Sequence, residues 1–212
     1  MTLPHYNGSS INTIDAHAMN RNSLQAPDPF LAAIVFEGGL GLLAVGLGWV
    51  LGDPPAERIE WTLDSAGSGI LAALPLIAVM WVGVRTQWGP LREILQVLKN
   101  HAVPLLRECG PWKLAGIALF AGFGEELLFR GVLQNWVAGL YPGDFGPYLG
   151  LIVASVVFGM VHCLTAAYAV LATMIGLYLG GLWIIFGNLL VPALVHVVYD
   201  FWAMVYLMKK LA

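Results

Sequence analysis

Charged side chains are scarce in this sequence. Asp, Glu, Lys and Arg together make up 11% of its 212 residues, whereas hydrophobic residues make up 58%. An ordinary soluble domain carries about 25% charged residues. The deficit therefore argues against a soluble protein and indicates a chain embedded in a lipid bilayer. The small net charge of −3 also argues against nucleic acid as a partner, because a surface that binds a polyanion is normally basic.

Cysteine is rare, and several familiar motifs are missing. The chain has two cysteines, Cys109 and Cys163, which are too few for a disulfide framework, and neither belongs to a Cys-x-x-Cys pair. The sequence has no internal repeat and no phosphate-binding glycine loop, and it lacks the His-Glu-x-x-His pattern of helical zinc proteases. These absences argue against a disulfide-stabilised fold, a nucleotide site and a zincin-type metal site.

Long apolar runs are abundant. A run without Asp, Glu, Lys or Arg extends from residue 145 to residue 199, and short polar or glycine-containing stretches divide it. Because about 20 apolar residues cross the hydrocarbon core of a bilayer, the sequence predicts an all-α fold, a polytopic membrane helix bundle. The six predicted segments cover residues 30–51, 67–84, 114–140, 148–161, 166–186 and 189–207.

The distribution of basic residues predicts the orientation of this bundle, since Lys and Arg are enriched in cytoplasmic loops. With six segments, one side receives both terminal tails and the loop between the second and third segments. Eight basic residues fall on that side, and Arg58 alone falls on the other: Arg21, Arg85, Arg92, Lys99, Arg107, Lys113, Lys209 and Lys210. We therefore expect a multi-pass protein of a bacterial cytoplasmic membrane with both termini in the cytoplasm.

The domain organisation follows from the same pattern. Residues 1–27 are polar, which predicts a mobile cytoplasmic tail, and residues 28–212 are expected to form a single transmembrane domain. Between the second and third segments, residues 90–108 place Leu91 and Ile94 on one helical face, with Arg92 largely off it. This pattern predicts a helix on the cytoplasmic membrane surface; a plain amphipathic connector is the alternative.

The few ionisable side chains inside the predicted segments are candidate site residues. Each costs about 3 kcal/mol or more in the membrane unless it is paired or hydrated. In the third segment, Glu126 and Arg130 are one helical turn apart and can form an ion pair. Glu125 points in another direction and needs a partner from elsewhere in the bundle. Glu37, in the first segment, is interpreted either as a hydrated carboxylate near the cytoplasmic face or as one that pairs within the bundle.

Two later segments add imidazoles. His162 ends the stretch Phe158 to His162, "FGMVH", and "HVVYD" places His196 one helical turn before Asp200, whose carboxylate can accept a hydrogen bond from the imidazole and fix its tautomer. An unpaired carboxylate, an imidazole and a second, oriented imidazole predict a hydrolytic site. A structural ion-pair network and interhelical histidine hydrogen bonds are the alternatives, but all these residues together favour a site.

Taken in order, "EELLFR", "FGMVH" and "HVVYD" resemble the signature of the CPBP (Abi) family of intramembrane glutamic endopeptidases. That family includes type II CAAX prenyl endopeptidases and proteins for bacteriocin processing or self-immunity. The resemblance covers about residues 88–205. It implies an endopeptidase in the membrane that acts on a membrane-associated, prenylated or bacteriocin-like peptide or protein. It implies no cofactor and no metal.

The resemblance also implies roles for the motif residues. Glu125 and His162 would activate a water molecule, and His196 would donate to the oxyanion. Glu126, Arg130 and Phe158 would support them. Asp200 departs from the Asn of many members. Either Asp200 is protonated, or it is the partner that orients His196 and keeps it cationic, and we favour the second interpretation.

Two other functions stay open at this point. A metal-dependent membrane hydrolase or transporter could use the same carboxylates and imidazoles as ligands. A non-catalytic bacteriocin self-immunity protein could keep the fold without the chemistry. The sequence also leaves one geometric difficulty: at 1.5 Å per residue, Glu125 lies about 17 to 20 Å deep, whereas His162 ends a short segment near the cytoplasmic face. A fourth segment that is tilted, or that ends inside the protein, is needed to join them.

Overall fold

The computed structural model describes residues 28–86, 88–141 and 143–211, and the regular structure in these ranges is entirely helical. The tail predicted at residues 1–27 lies outside them. In chain order the elements are α1 (Pro29–Leu51), a short 3-10 helix (Pro55–Arg58), α2 (Leu63–Thr86), α3 (Gly89–Leu106), α4 (Pro111–Glu126), a π-helical segment (Leu127–Gln134, the π segment below), α5 (Asn135–Gly139), α6 (Phe145–Val161), α7 (Ala166–Phe186) and α8 (Leu190–Leu211).

Local chemistry sets the ends of the helices. The Asp28 carboxylate accepts from the backbone N–H of Phe30 at 2.9 Å and begins α1, and the Thr165 hydroxyl caps the first turn of α7 in the same way. Gly52 follows the last residue of α1 and Gly187 follows the last residue of α7, with φ angles of 73° and 62°. These left-handed conformations suit glycine, which has no Cβ to clash.

The lengths and surfaces of the helices are those of a membrane protein. In the described part of the chain, α1, α2, α7 and α8 are each long and apolar enough to cross a bilayer, and α6 is shorter, at 17 residues. α4, the π segment and α5 follow one another without a break and together form the third predicted segment. Large apolar side chains such as Val50 and Leu71 face outward, which suits lipid and not water. The predicted all-α, polytopic membrane bundle is thus confirmed, whereas the count of six crossings stays a prediction.

The bundle is organised around α8, which packs against α2, α4 and α7, while α1 packs on α4 and α6 packs on α7. A buried apolar cluster that includes Ala73, Leu179 and Val195 joins α2, α7 and α8. α1 approaches α4 closely at Gly124, where a Cβ would collide with the backbone carbonyl of Glu37. This packing brings α1, α4 and α8 together around the middle of the bundle.

The amphipathic helix predicted before the third segment is α3. Leu91 and Ile94 are buried in a cluster with Val84 of α2, and Arg92 and Glu93 are exposed. The apolar face predicted from the spacing is therefore confirmed. The position of α3 on the cytoplasmic surface stays a prediction.

Candidate active site

The two adjacent glutamates lie where α4 changes into the π segment. Glu125 and Glu126 are both buried, and so is Arg130. Arg130 donates from Nη1 to Glu126 Oε1 at 2.7 Å, which is the ion pair that the i, i+4 spacing predicts. Its other terminal nitrogen, Nη2, donates to the backbone carbonyl of Gly176 in α7 at 3.1 Å. Widened π-helical turns in α-helical segments occur frequently at functional sites, and here such a turn carries the arginine of the first motif.

His196 on α8 completes this ion pair from another helix. Its Nδ1 lies 2.9 Å from Glu126 Oε1, so the same carboxylate oxygen accepts from Arg130 and from the imidazole. Nε2 of His196 lies 3.4 Å from Asp200 Oδ2. The predicted neighbour Asp200 is therefore present, but the shorter contact is to Glu126. Helical spacing could not predict that contact, because it joins α4 to α8.

His162 lies immediately after α6 and reaches Glu125. Its Nδ1 is 2.8 Å from the backbone carbonyl oxygen of Phe158. A carbonyl only accepts, so Nδ1 carries the hydrogen, and Nε2 is turned towards Glu125 Oε2 at 3.6 Å. This contact places the end of α6 at the level of Glu125, which removes the geometric difficulty noted from the sequence.

The Phe158 ring lies between the two histidines. It stacks on His162 with 4.4 Å between ring centroids, and its centroid is 6.1 Å from that of His196. The guanidinium carbon of Arg130 lies 4.6 Å from the Phe158 ring centroid. One aromatic ring therefore contacts the side chains of all three motifs, as its supporting role in the sequence prediction would require.

A large apolar cavity opens beside these residues. Its volume is about 1090 Å³, and its wall is formed mainly by apolar side chains of α2, α3, α7 and α8. Phe158, His162, His196 and Asp200 contribute to the wall. The cavity can therefore bring an apolar ligand into contact with both histidines.

The structure adds residues that the sequence interpretation did not single out. Gln134 is buried and donates from Nε2 to the carbonyl of Gly180 in α7 at 3.1 Å. It follows Arg130 by four residues, so extending the i, i+4 spacing of Glu126 and Arg130 by one more step would have predicted Gln134 as a site residue. Tyr168 lines the cavity and meets the His162 ring edge-on at 6.3 Å. Only the tertiary contact between α6 and α7 identifies that residue.

Glu37 lies near this site. Its backbone carbonyl contacts the position of Gly124, directly before Glu125. Its Oε2 is buried and has no hydrogen-bond partner among the described residues. Both interpretations of Glu37 made from the sequence stay open.

The site also contains side chains of the types that bind metal ions. Within residues 28–86, 88–141 and 143–211, no group of three or more His, Cys, Asp or Glu side chains is arranged to hold a metal ion. The contacts just described are pairwise contacts between the motif residues.

Comparison with known proteins gives one match. Residues 108–202 match the family model "Type II CAAX prenyl endopeptidase Rce1-like". Neither curated proteins nor solved structures give a match to the chain. The matched segment runs from before α4 into α8 and contains all three motifs. The match over these 95 residues supports the CPBP family of CAAX-type proteases that the motifs resemble, and the long apolar helices indicate an integral membrane protein.

Proposed function

We propose that the protein is a glutamic-type intramembrane endopeptidase in which Glu125 and His162 activate a water molecule. The observation that carries this proposal is the contact between His162 Nε2 and Glu125 Oε2 at 3.6 Å. The Phe158 carbonyl occupies the Nδ1 side of the imidazole, so Nε2 is available to a reactant. A separation of 3.6 Å is too long for a direct hydrogen bond, and it allows both atoms to contact one water oxygen.

The chemical step follows from this arrangement. Glu125 takes a proton from water while the water oxygen attacks the carbonyl carbon of the scissile peptide bond. The electron pair of the C=O bond moves to its oxygen and gives a tetrahedral oxyanion. Glu125 then returns the proton to the amide nitrogen, the electron pair on the oxyanion re-forms the C=O bond as the C–N bond breaks, and the products are a carboxylic acid and an amine.

His196 is the proposed donor to the oxyanion. Glu126 accepts from its Nδ1, and Asp200 lies beside Nε2. Glu126 fixes the ring through Nδ1, and the two carboxylates favour an imidazole that carries both N–H groups. The Nε2–H, in the longer contact of 3.4 Å with Asp200, is the one that donates to the oxyanion. A donor held in place before the reaction stabilises developing negative charge without reorganisation. In this proposal Asp200 orients His196 and keeps it cationic.

The apolar cavity supports a substrate with an apolar group or segment. Its volume of about 1090 Å³ lies just above the range of typical ligand pockets, which are about 300 to 1,000 Å³. We therefore favour a membrane-associated peptide or protein, either prenylated or resembling a bacteriocin leader. The proposed enzyme is multi-pass, has both termini in the cytoplasm and forms one transmembrane domain over residues 28–212.

A cleavage assay with a chelator tests this function. Purified protein in lipid nanodiscs is incubated with prenylated and unprenylated carboxyl-terminal peptides and with membrane-tethered leader peptides, and products are identified by mass spectrometry. We expect one peptide class to be cleaved equally with and without a strong chelator. Loss of cleavage with chelator, restored by added zinc, would support the metal-dependent alternative. No cleavage of any peptide class would favour the non-catalytic alternative.

A further inference from the structure

The π segment is joined to α7 by two parallel hydrogen bonds. Arg130 donates to the carbonyl of Gly176, and Gln134 donates to the carbonyl of Gly180, both at 3.1 Å. Both donor side chains are buried. The two donors are four residues apart on the π segment, and the two acceptors are four residues apart on α7. The first bond belongs to a family motif residue, whereas the Gln134 bond belongs to no motif.

The acceptor positions on α7 are glycines because the helices approach closely there. A Cβ at Gly176 would lie 3.4 Å from Arg130 Nη2, and a Cβ at Gly180 would lie 2.5 Å from Leu151 Cδ1 and 2.6 Å from Gln134 Oε1. Gly181 follows directly, and a Cβ there would meet nothing within 4 Å. Adding a methyl group at residue 180 therefore displaces the Gln134 amide, and adding one at residue 181 does not.

These bonds connect α7 to the imidazole proposed to stabilise the oxyanion. Arg130 holds Gly176 through one nitrogen and Glu126 through the other, and the same oxygen of Glu126 accepts from His196. A shift of the π segment along α7 would move Nη1 of Arg130 away from Glu126. Gln134 opposes such a shift, because it fixes the segment one turn beyond Arg130.

We propose that Gln134 is a positioning residue of this protease. It holds the π segment in register with α7, so that Arg130 and Glu126 together orient His196. Gln134 does not line the apolar cavity, so its loss should lower kcat and leave KM nearly unchanged. The kinetic part of this inference rests on the proposed function.

The test compares two neighbouring glycines. Gly180→Ala should lower kcat about 10-fold, the effect of losing one buried hydrogen bond that orients the site, whereas Gly181→Ala should retain the kcat of the unmodified protein. Gln134→Met, which keeps the chain length and removes the donor, should match Gly180→Ala. In a Gln134→Ala background the new methyl group no longer meets the amide and meets only the flexible end of the Leu151 side chain, so adding Gly180→Ala should cause little further loss. Equal kcat values for Gly180→Ala and Gly181→Ala would overturn the proposal, as would an effect confined to KM.

A second readout does not depend on cleavage. Histidine-selective 15N NMR in nanodiscs reports the hydrogen bond at Nδ1 of His196, and exposed His101 on α3 serves as an internal control. Gln134→Met and Gly180→Ala should shift the His196 signals, whereas Gly181→Ala should not. Unchanged His196 signals in the first two variants would refute the positioning role even if the protein cleaved no peptide. If the protein cleaved no peptide but Gln134 still positioned His196, the shifts expected for Gln134→Met and Gly180→Ala would still be observed. If Gln134→Met does not fold, the His196 signals of Gly180→Ala and Gly181→Ala still test the positioning role.

Discussion

The two imidazoles of the site are held in different ways. His162 lies at the end of α6, is tied to its own helix through the Phe158 carbonyl, and has a side chain that is 26% exposed. His196 lies within α8, has a side chain that is 7% exposed, and contacts two carboxylates. A ring with one free nitrogen and access to the cavity suits a group that handles a reactant. A ring fixed at Nδ1, with its second N–H in the longer contact with Asp200, suits a group that stabilises charge. The difference supports separate roles in the proposed reaction.

The largest expected effect on this comparison comes from removing the imidazole of His196. His196→Ala should lower kcat about 1,000-fold, the upper range for losing one oxyanion donor, and should leave KM within a few-fold. The measurement is steady-state cleavage of the best peptide, with His101→Ala as the matched control, because His101 is an exposed helical histidine. A His196→Ala variant with nearly full activity would remove His196 from the chemistry.

Removal of the Glu126 carboxylate, which accepts from both Arg130 and His196, tests how the His196 ring is held. Glu126→Gln leaves the buried guanidinium of Arg130 without its anion, and breaking a buried ion pair in this way costs about 3 to 5 kcal/mol of stability. We expect a lower thermal unfolding midpoint in nanodiscs and at least a 10-fold lower kcat. Glu93→Gln, on the exposed face of α3, should change neither quantity. An unfolding midpoint equal to that of Glu93→Gln would contradict the structural role of Glu126.

A smaller effect is expected from changing Phe158, whose ring lies between the two histidines. Phe158→Leu keeps an apolar side chain but removes stacking on His162 and contact with Arg130. We expect about a 10-fold fall in kcat, from roughly 1 kcal/mol of lost aromatic contact and looser positioning of both rings. Phe120→Leu, on the outer side of α4, is the control. Equal kcat values for these two variants would show that Phe158 does not position the site.

The smallest expected effect is at Asp200. Asp200→Asn keeps the shape and a hydrogen-bonding oxygen near His196 Nε2, while Glu126 still holds Nδ1. A loss of about 1 kcal/mol corresponds to about a five-fold fall in kcat. Cleavage kinetics of Asp200→Asn beside His196→Ala check this ranking. Equal losses in the two variants would contradict the orienting role of Asp200.

The same residues show how far sequence alone could reach. Contacts within one helix follow from spacing, so the ion pair of Glu126 with Arg130 and the proximity of His196 to Asp200 could be predicted. The contact of His196 with Glu126 and those of Arg130 and Gln134 with α7 could not, because they depend on how helices cross. The apolar runs predicted the bundle, whereas nothing in composition indicates the π-helical hydrogen bonding of residues 127–134. The proximity of His162 to Glu125 was expected from the motifs, but it required α6 to end at the level of Glu125, which its sequence alone does not show.

The most direct test of the central claim is the cleavage rate of Glu125→Gln measured beside Glu93→Gln. Gln keeps the size of the side chain and cannot take a proton from water, so the proposal predicts at least a 100-fold lower kcat, the range for a general base. The variant should still unfold at the temperature of the unmodified protein, and Glu93→Gln should cleave normally. A folded Glu125→Gln protein that cleaves the same peptide at a normal rate would contradict the proposed role of Glu125.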